Sequence, residues 1–200
     1  MHYHALLGQP TARFARAGCQ LAITLGVKMK IIRSSNEELC EFHKYWDAAL
    51  EYQKRKNLPV WPNFPLNVLS KEIDLGLHFS VYSFGDELLG YFSLALSDPI
   101  IWDEEERGDA IYIHRMCVNP NIKGSNLAKN ILNWAYDYAS GINRKYIRMD
   151  TWGTNQALID YYISCGFQYL KSKHLGKTPQ LQPHYNNIKL AMFQNEIINA

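Results

Sequence analysis

The stretch that most limits the fold runs from Ala110 to Thr151. It opens on "AIYIHRMCV" (Ala110–Val118), a long strand candidate. Pro120 closes that run and Gly124 follows. From Leu127 the apolar residues Leu127, Ile131, Leu132, Ala135 and Tyr138 recur at helical spacing through Ser140. Gly141 is placed to end the helix. "KYIRMDT" then reads as a strand. A strand–helix–strand unit of this kind belongs to an α/β architecture.

The flanking segments complete the pattern. Met29–Arg33 is a short strand candidate. Ser35 followed by Glu38 is a capping-box signature, and the helix it opens is predicted to reach about Arg55. Three prolines between Asn57 and Pro65 break it, and a shorter helix is predicted over Asn67–Asp74. His78–Phe84 and Leu88–Leu96 form a hairpin signal around a Gly-Asp turn. "SDPIIWDEEERGD" reads as a loop, acidic at Asp103 to Glu106. Asn155–Cys165 is predicted helical, stopping at Gly166. "FQYLKSKHL" and "YNNIKLAMF" are two late strands. The order predicts a mixed α/β sheet with helices on both faces, in one domain over 29–196.

Residues 1–28 stand apart. Arg13 and Arg16 precede "AGCQLAITLGV", the outline of a signal peptide, yet no polar cleavable stretch separates it from "MKIIRS". The expectation is an extension to the domain, or a start placed too early with Met29 as the natural one. A net charge of +2 without clustered Lys or Arg excludes a nucleic-acid footprint. The longest uncharged apolar run, near Cys19 to Val27, is too short to span a bilayer. Cys19, Cys40, Cys117 and Cys165 form no C-x-x-C pair, and none sits beside a His at metal spacing. Free thiols, no metal and a cytoplasmic location are expected.

Gly124 has a chemical reading. A helix N-terminus leaves several backbone N–H groups unpaired and carries partial positive charge, which a phosphate satisfies. Glycine lets the backbone approach a bulky anion. Lys123, Gly124, Ser125 and Asn126, opening the helix at Leu127, therefore make a candidate pyrophosphate cradle. The stretch is neither a Walker loop nor a dinucleotide fingerprint.

"VNPNIKGSNLAKNIL" resembles the acetyl-CoA-binding motif of the GNAT superfamily of N-acetyltransferases, roughly V-x-P-x-x-R-G-x-G-x-G/A. Val118, Pro120, Gly124 and Ala128 match. Lys123 stands where Arg or Gln is usual and keeps the charge without the planar fork. Asn126 stands where the middle glycine is usual, and Asn tolerates positive φ best among the other residues. "NQALIDYYISCGF" is similar to the family's N-x-x-A-x-x-x-Y-x-x-x-G-F: Asn155, Tyr162, Gly166 and Phe167 fit, with Leu158 replacing the small residue. Asn155, Leu158 and Tyr162 share one helical face. Tyr161, one residue's rotation away, reads as a core or partner-facing aromatic. The resemblance spans roughly Met29 to Gln194.

The resemblance implies a mixed, mostly antiparallel sheet of six to seven strands whose central parallel pair, Ala110–Val118 and Tyr146–Thr151, splays apart. It implies acetyl transfer from acetyl-CoA to an amine by direct attack. The backbone of Met116 and Val118 is then expected to hold the donor's arm. Lys123 to Ala128 (Ser125, Asn126 and Leu127 among them) and Asn155 bind the rest. Tyr162 is the expected general acid, also in contact with the donor. On a strand, Tyr112, His114, Met116 and Val118 share one face, and with Met116 and Val118 lining the donor groove, Tyr112 and His114 point towards the acceptor. His114 then serves as base, directly or through water, because the Glu many members carry near Tyr112 is absent. Trp61, Phe64 and Trp152 are the expected acceptor-binding residues, with the acidic loop, His184 and Tyr185 nearby. The acceptor is a small-molecule or protein amine. Late strands often pair protomers in the family, so a homodimer is an open expectation. A non-catalytic CoA- or ligand-binding module is the alternative.

Overall fold

In the computed structural model, residues 21–22, 29–63, 65–122, 125–181 and 185–198 are described. Eight strands form one sheet in the order β1-β2-β3-β4-β5-β6-β8-β7. They are β1 (Leu21–Ala22), β2 (Met29–Arg33), β3 (His78–Ser83), β4 (Leu88–Ala95), β5 (Ala110–Val118), β6 (Tyr146–Trp152), β7 (Tyr169–His174) and β8 (Lys189–Glu196). The helices are α1 (Leu39–Arg55), α2 (Leu66–Asp74), α3 (Pro99–Trp102), α4 (Leu127–Gly141) and α5 (Gln156–Ser164). β5 and β6 are the parallel pair; all other pairings are antiparallel. The strand count exceeds the expectation through β1, whose two residues pair with Lys30 and Met29. They lie within the stretch expected to be an extension.

The two sheet faces carry separate cores. Beneath α4 and α5, Phe92, Ile111, Ile113, Ile147 and Phe193 pack with Ile131 and Trp134. On the opposite face α1 and α2 cover Tyr91 and Cys117 with Phe42, Trp46 and Ile73. Beside them α3 buries Trp102 against Tyr112, Leu190 and Met192. Gly90 lets β4, β5 and α4 meet closely, since a Cβ there would stand 2.4 Å from the Cys117 carbonyl oxygen and 2.6 Å from Leu127.

Local signals explain most boundaries. The capping box forms as expected: Glu38 accepts from the Ser35 backbone N–H at 2.7 Å. Gly141 does not end α4 by a left-handed turn; it is the last helical residue, and Asn143 supplies the positive φ, 57°. The expected acidic loop contains α3, because Asp98 caps it, Pro99 presets its first turn, and Ile101 and Trp102 anchor in the core.

Strand β5 departs from regular alternation. Tyr91 pairs with Cys117 and Ser93 with His114, so two residues of β4 oppose a longer step of β5. The extra residue sits at a bulge where Arg115 takes φ 50°. Side-chain parity therefore reverses at Arg115. Tyr112 packs with the α3 core, whereas Met116 packs on the α4 side. The expectation that Tyr112, His114, Met116 and Val118 share one face fails for this reason.

Candidate active site

The pairing of β5 with β6 runs from Ala110↔Tyr146 to Ile113↔Met149 and stops. Both strands continue, β5 to Val118 and β6 to Trp152. The parallel pair thus parts as the resemblance implies. A cavity of about 1050 Å³ runs through the gap, lined from the α4–α5 side by Ala128, Leu158 and Tyr162 and from the other by Trp61, Asp98 and His114.

On the α4 side, Asn126 precedes the helix at φ 50° and ψ 31°, the left-handed region. The Asn130 side chain donates to the carbonyls of Ser125 (3.4 Å) and Asn126 (3.1 Å). These carbonyls are tied back, and among the described residues no side chain caps the first turn. Its amides stay available to an anion. Asn119 fixes the chain leaving β5, donating to Tyr45 Oη and the Leu88 carbonyl, both at 2.9 Å. Lys123 and Gly124 lie outside the described residues. Leu127 is buried in the core and Ser125 is buried, so either could meet a ligand only by backbone. Met116, Val118, Pro120 and Ala128 line the cavity.

Helix α5 brings Asn155, Leu158 and Tyr162 to the same cavity. Asn155 caps it by accepting from Leu158 N–H at 3.2 Å. Gly166, at φ 102°, reverses the chain, and Phe167 N–H donates to the Tyr162 carbonyl at 3.1 Å. Tyr162 packs edge-on against Phe167 and Phe193. Burial, with Tyr161, Cys165 and Cys117 near, pushes its phenol well above the usual tyrosine range. Tyr161 is 44% exposed and also lines the cavity, so it is no core residue.

Across the sheet the site differs from expectation. Tyr112 is fully buried and outside the cavity wall. Its hydroxyl donates to Glu106 at 2.7 Å and accepts from Arg148 at 2.9 Å, so it holds the acidic loop to the sheet. Trp152 does not line the cavity either; its ring lies 4.6 Å from Trp61 and backs that residue, which does. Phe64 and His184 fall outside the described residues.

His114 faces the cavity, and two carboxylates that no motif singled out stand with it. Asp98, Asp150 and His114 bring one ligand atom each to within 4.8 Å of one another. His114 Nε2 is 3.6 Å from Asp98 Oδ2. Asp98 Oδ2 and Asp150 Oδ1 are buried without a hydrogen-bond partner among the described residues. Burial, then the charge of Asp150, pushes Asp98 up to about 8. Burial pushes Asp150 up to about 7. Burial and the neighbouring Arg115 hold His114 well below the usual histidine range, so its imidazole is neutral. The carboxyl pair, titrating near neutrality, can exchange a proton, while the weakly basic neutral imidazole beside it offers a hydrogen-bond acceptor. Both carboxylates left a trace in the sequence: Asp98 precedes Pro99 at a helix start, and Asp150 is the one acidic residue of the largely buried strand β6.

A mixed sheet whose parallel pair opens over a cleft, with an uncapped helix N-terminus beside it, defines an acetyltransferase domain of the GNAT type. The profile of the acetyltransferase (GNAT) family matches residues 30–167, and the chain belongs to that family. It is 29% identical over 90 residues to the uncharacterized N-acetyltransferase YesJ of Bacillus subtilis (strain 168), a match covering 42% of this chain and 50% of that protein. The match thus spans half of that relative's length. A GNAT-family acetyltransferase from Listeria monocytogenes 4b F2365 superposes with TM-score 0.67 at 18% identity, over 88% of this chain and 99% of its own. The putative acetyltransferase yncA of Salmonella typhimurium, solved with its cofactor acetyl-CoA, superposes with TM-score 0.60 at 14% identity, over 86% and 95%. At these identities the likeness is one of fold. Among the described residues no helix is long and apolar enough to cross a membrane.

Proposed function

We propose that this protein transfers an acetyl group from acetyl-CoA to a primary amine by direct attack. The observation that carries the reading is the end of β5–β6 pairing at Ile113↔Met149, which opens one cavity from the α4 N-terminus and Tyr162 to Asp98, His114 and Asp150. The residues fit the donor: the first turn of α4 has no side-chain cap and so offers amides to a diphosphate. The released edge of β5 at Met116 and Val118 offers backbone groups to the pantetheine arm.

Bound there, acetyl-CoA supplies an acyl carbon activated by sulfur, to which the amine bonds as the C–S bond breaks. The acceptor arrives as an ammonium. The Asp98–Asp150 pair takes one proton and frees the nitrogen lone pair. After attack the nitrogen carries a second proton in excess, which passes to water hydrogen-bonded to the neutral His114 imidazole. Tyr162, kept protonated by burial, donates a hydrogen bond to the departing sulfur and delivers its proton, to be restored from solvent. The net products are an amide, a free thiol and one proton. We place the reaction in the cytoplasm, where the free thiols of Cys40, Cys117 and Cys165 persist.

A thiol-release assay with acetyl-CoA and an amine panel tests this, beside calorimetry with acetyl-CoA alone. Turnover on at least one amine is expected. Tight acetyl-CoA binding with no turnover on any amine would leave a binding module, and undetectable binding would remove the donor.

A further inference from the structure

We infer that the acceptor is a monocationic primary amine carrying an aromatic body, of the arylalkylamine class, an inference that rests on the acetyl-transfer reading. The argument is a charge inventory of the cavity on the α1–α3 side of the sheet. Four carboxylates line it: Glu51, Glu72, Asp98 and Asp150. Glu72 is already engaged, by Arg115 at 2.6 Å and by the Ser93 hydroxyl at 2.7 Å. Glu51 is exposed on α1 and pairs with Lys54 at 2.7 Å. Only Asp98 and Asp150 present buried, unpartnered oxygens. Those two, with His114 Nε2, offer three acceptor atoms within 4.8 Å of one another. A primary ammonium has three N–H donors and matches that set, whereas a tertiary amine has one.

Beyond this buried anionic centre the wall is mainly apolar, with Gln53, Ser97 and Gln180 among the uncharged polar residues on it. Trp61 and Tyr185 line it with ring centroids 6.1 Å apart, and Leu50, Leu58, Leu181 and Ile100 fill the remainder. Trp152 backs Trp61. A polyamine would find one further carboxylate, the exposed Glu51 already paired with Lys54, and would bury any other charge against the apolar part of the wall, which is costly. An α-amino acid would bring a carboxylate into a space whose inward-facing cation, Arg115, is already held by Glu72. Arg55 is exposed on α1. An aromatic ring, by contrast, brings no further charge and can pack on Trp61 and Tyr185.

The test is calorimetry on the full chain saturated with coenzyme A, titrated with phenethylamine, phenylalanine and spermidine. Phenylalanine adds a carboxylate to the same ring; spermidine adds charge without a ring. Phenethylamine is expected to bind at least roughly tenfold more tightly than either. Trp61→Ala is expected to weaken phenethylamine by about tenfold and spermidine by far less. Tyr185→Ala, read in the same way, covers the case in which Trp61→Ala fails to fold. Asp150→Asn is expected to weaken both amines. Equal or tighter binding of spermidine or phenylalanine overturns the assignment, as does a phenethylamine affinity unmoved by both aromatic variants. Failure of the acetyl-transfer reading shows separately, as absent coenzyme A binding in the preceding titration; the amine ranking is then read on the unliganded chain.

Discussion

Asp150→Asn is expected to make the protein more stable and less active, and the size of the gain follows from the site. Asp150 Oδ1 is buried without a partner among the described residues, and burial raises its carboxyl from 3.8 to about 7. Those roughly three pH units, at about 1.4 kcal/mol each, put the cost of ionising it in place on the order of 4 kcal/mol. Asp98 titrates beside it, so the cost belongs to the pair, and the gain from replacing one member is expected to be smaller, on the order of 2 kcal/mol. The folded chain keeps this proton to a higher pH than the unfolded chain does. The parent is therefore most stable at low pH and loses stability as the pH rises through about 7. Asparagine has no charge to develop. At about pH 8.5 the variant is expected to be some 2 kcal/mol more stable, a Tm increase of about 4–8 °C, narrowing towards pH 5. Turnover is expected to fall by roughly a hundredfold or more with the proton acceptor gone. Scanning calorimetry at both pH values, beside the thiol-release assay, reads all three quantities. A variant that melts below the parent at the higher pH, or one that turns over at the parental rate, refutes the reasoning.

Other perturbations test other parts. Tyr162→Phe removes the hydroxyl but keeps the ring against Phe167 and Phe193, so kcat is expected to fall roughly ten- to a hundredfold with acetyl-CoA affinity nearly unchanged. The kcat/KM profile for an amine is expected to rise with pH and level off once the Asp98–Asp150 pair, raised to about 8 and about 7, has ionised; a profile falling over that range would exclude the pair as base. Gly90→Ala forces a Cβ to 2.4 Å from the Cys117 carbonyl oxygen and is expected to cost about 2–3 kcal/mol, read as a lower denaturation midpoint. Asn126, at φ 50°, is expected to tolerate glycine, whereas Asn126→Ala should destabilise by about 1 kcal/mol and weaken acetyl-CoA binding.

The local geometry around α4 and α5 was legible in the sequence because it is built from local signals. Asn155, Gly166 and Phe167 act within one short helix and its turn, and Asn126 takes the left-handed backbone its residue type suits. The acceptor half was less legible because it is assembled from distant pieces. Asp98 and Asp150 are 52 positions apart in the chain and meet only through the sheet order. Tyr112 looked like a site residue from its place on β5, yet its partners, Glu106 and Arg148, come from a loop and a neighbouring strand. Trp152 was read as pocket-lining from its position after a strand, but Trp61 covers it. Alternation along β5 failed as a guide because the bulge falls on Arg115, and bulges at residues other than glycine leave no compositional mark.

On the acetyl-transfer reading, that bulge also lets one strand serve two substrates on opposite sides of a sheet. Under strict alternation, His114 and Met116 would face the same side, and a base on β5 would compete for space with the donor's arm. The reversal at Arg115 turns His114 towards Asp98 while Met116 packs towards α4. A positive φ at a non-glycine residue costs about 1–2 kcal/mol, and the surroundings hold it: the Arg115 guanidinium pairs with Glu72 at 2.6 Å, and Glu72 accepts from Ser93 at 2.7 Å. The same pair removes Glu72 from the acceptor's reach. Asp98 and Asp150 keep the buried, unpartnered carboxylate oxygens among the described residues lining the cavity. On the proposed acetyl-transfer reading, a single strained residue thus parts donor from base and narrows the charge an acceptor can carry.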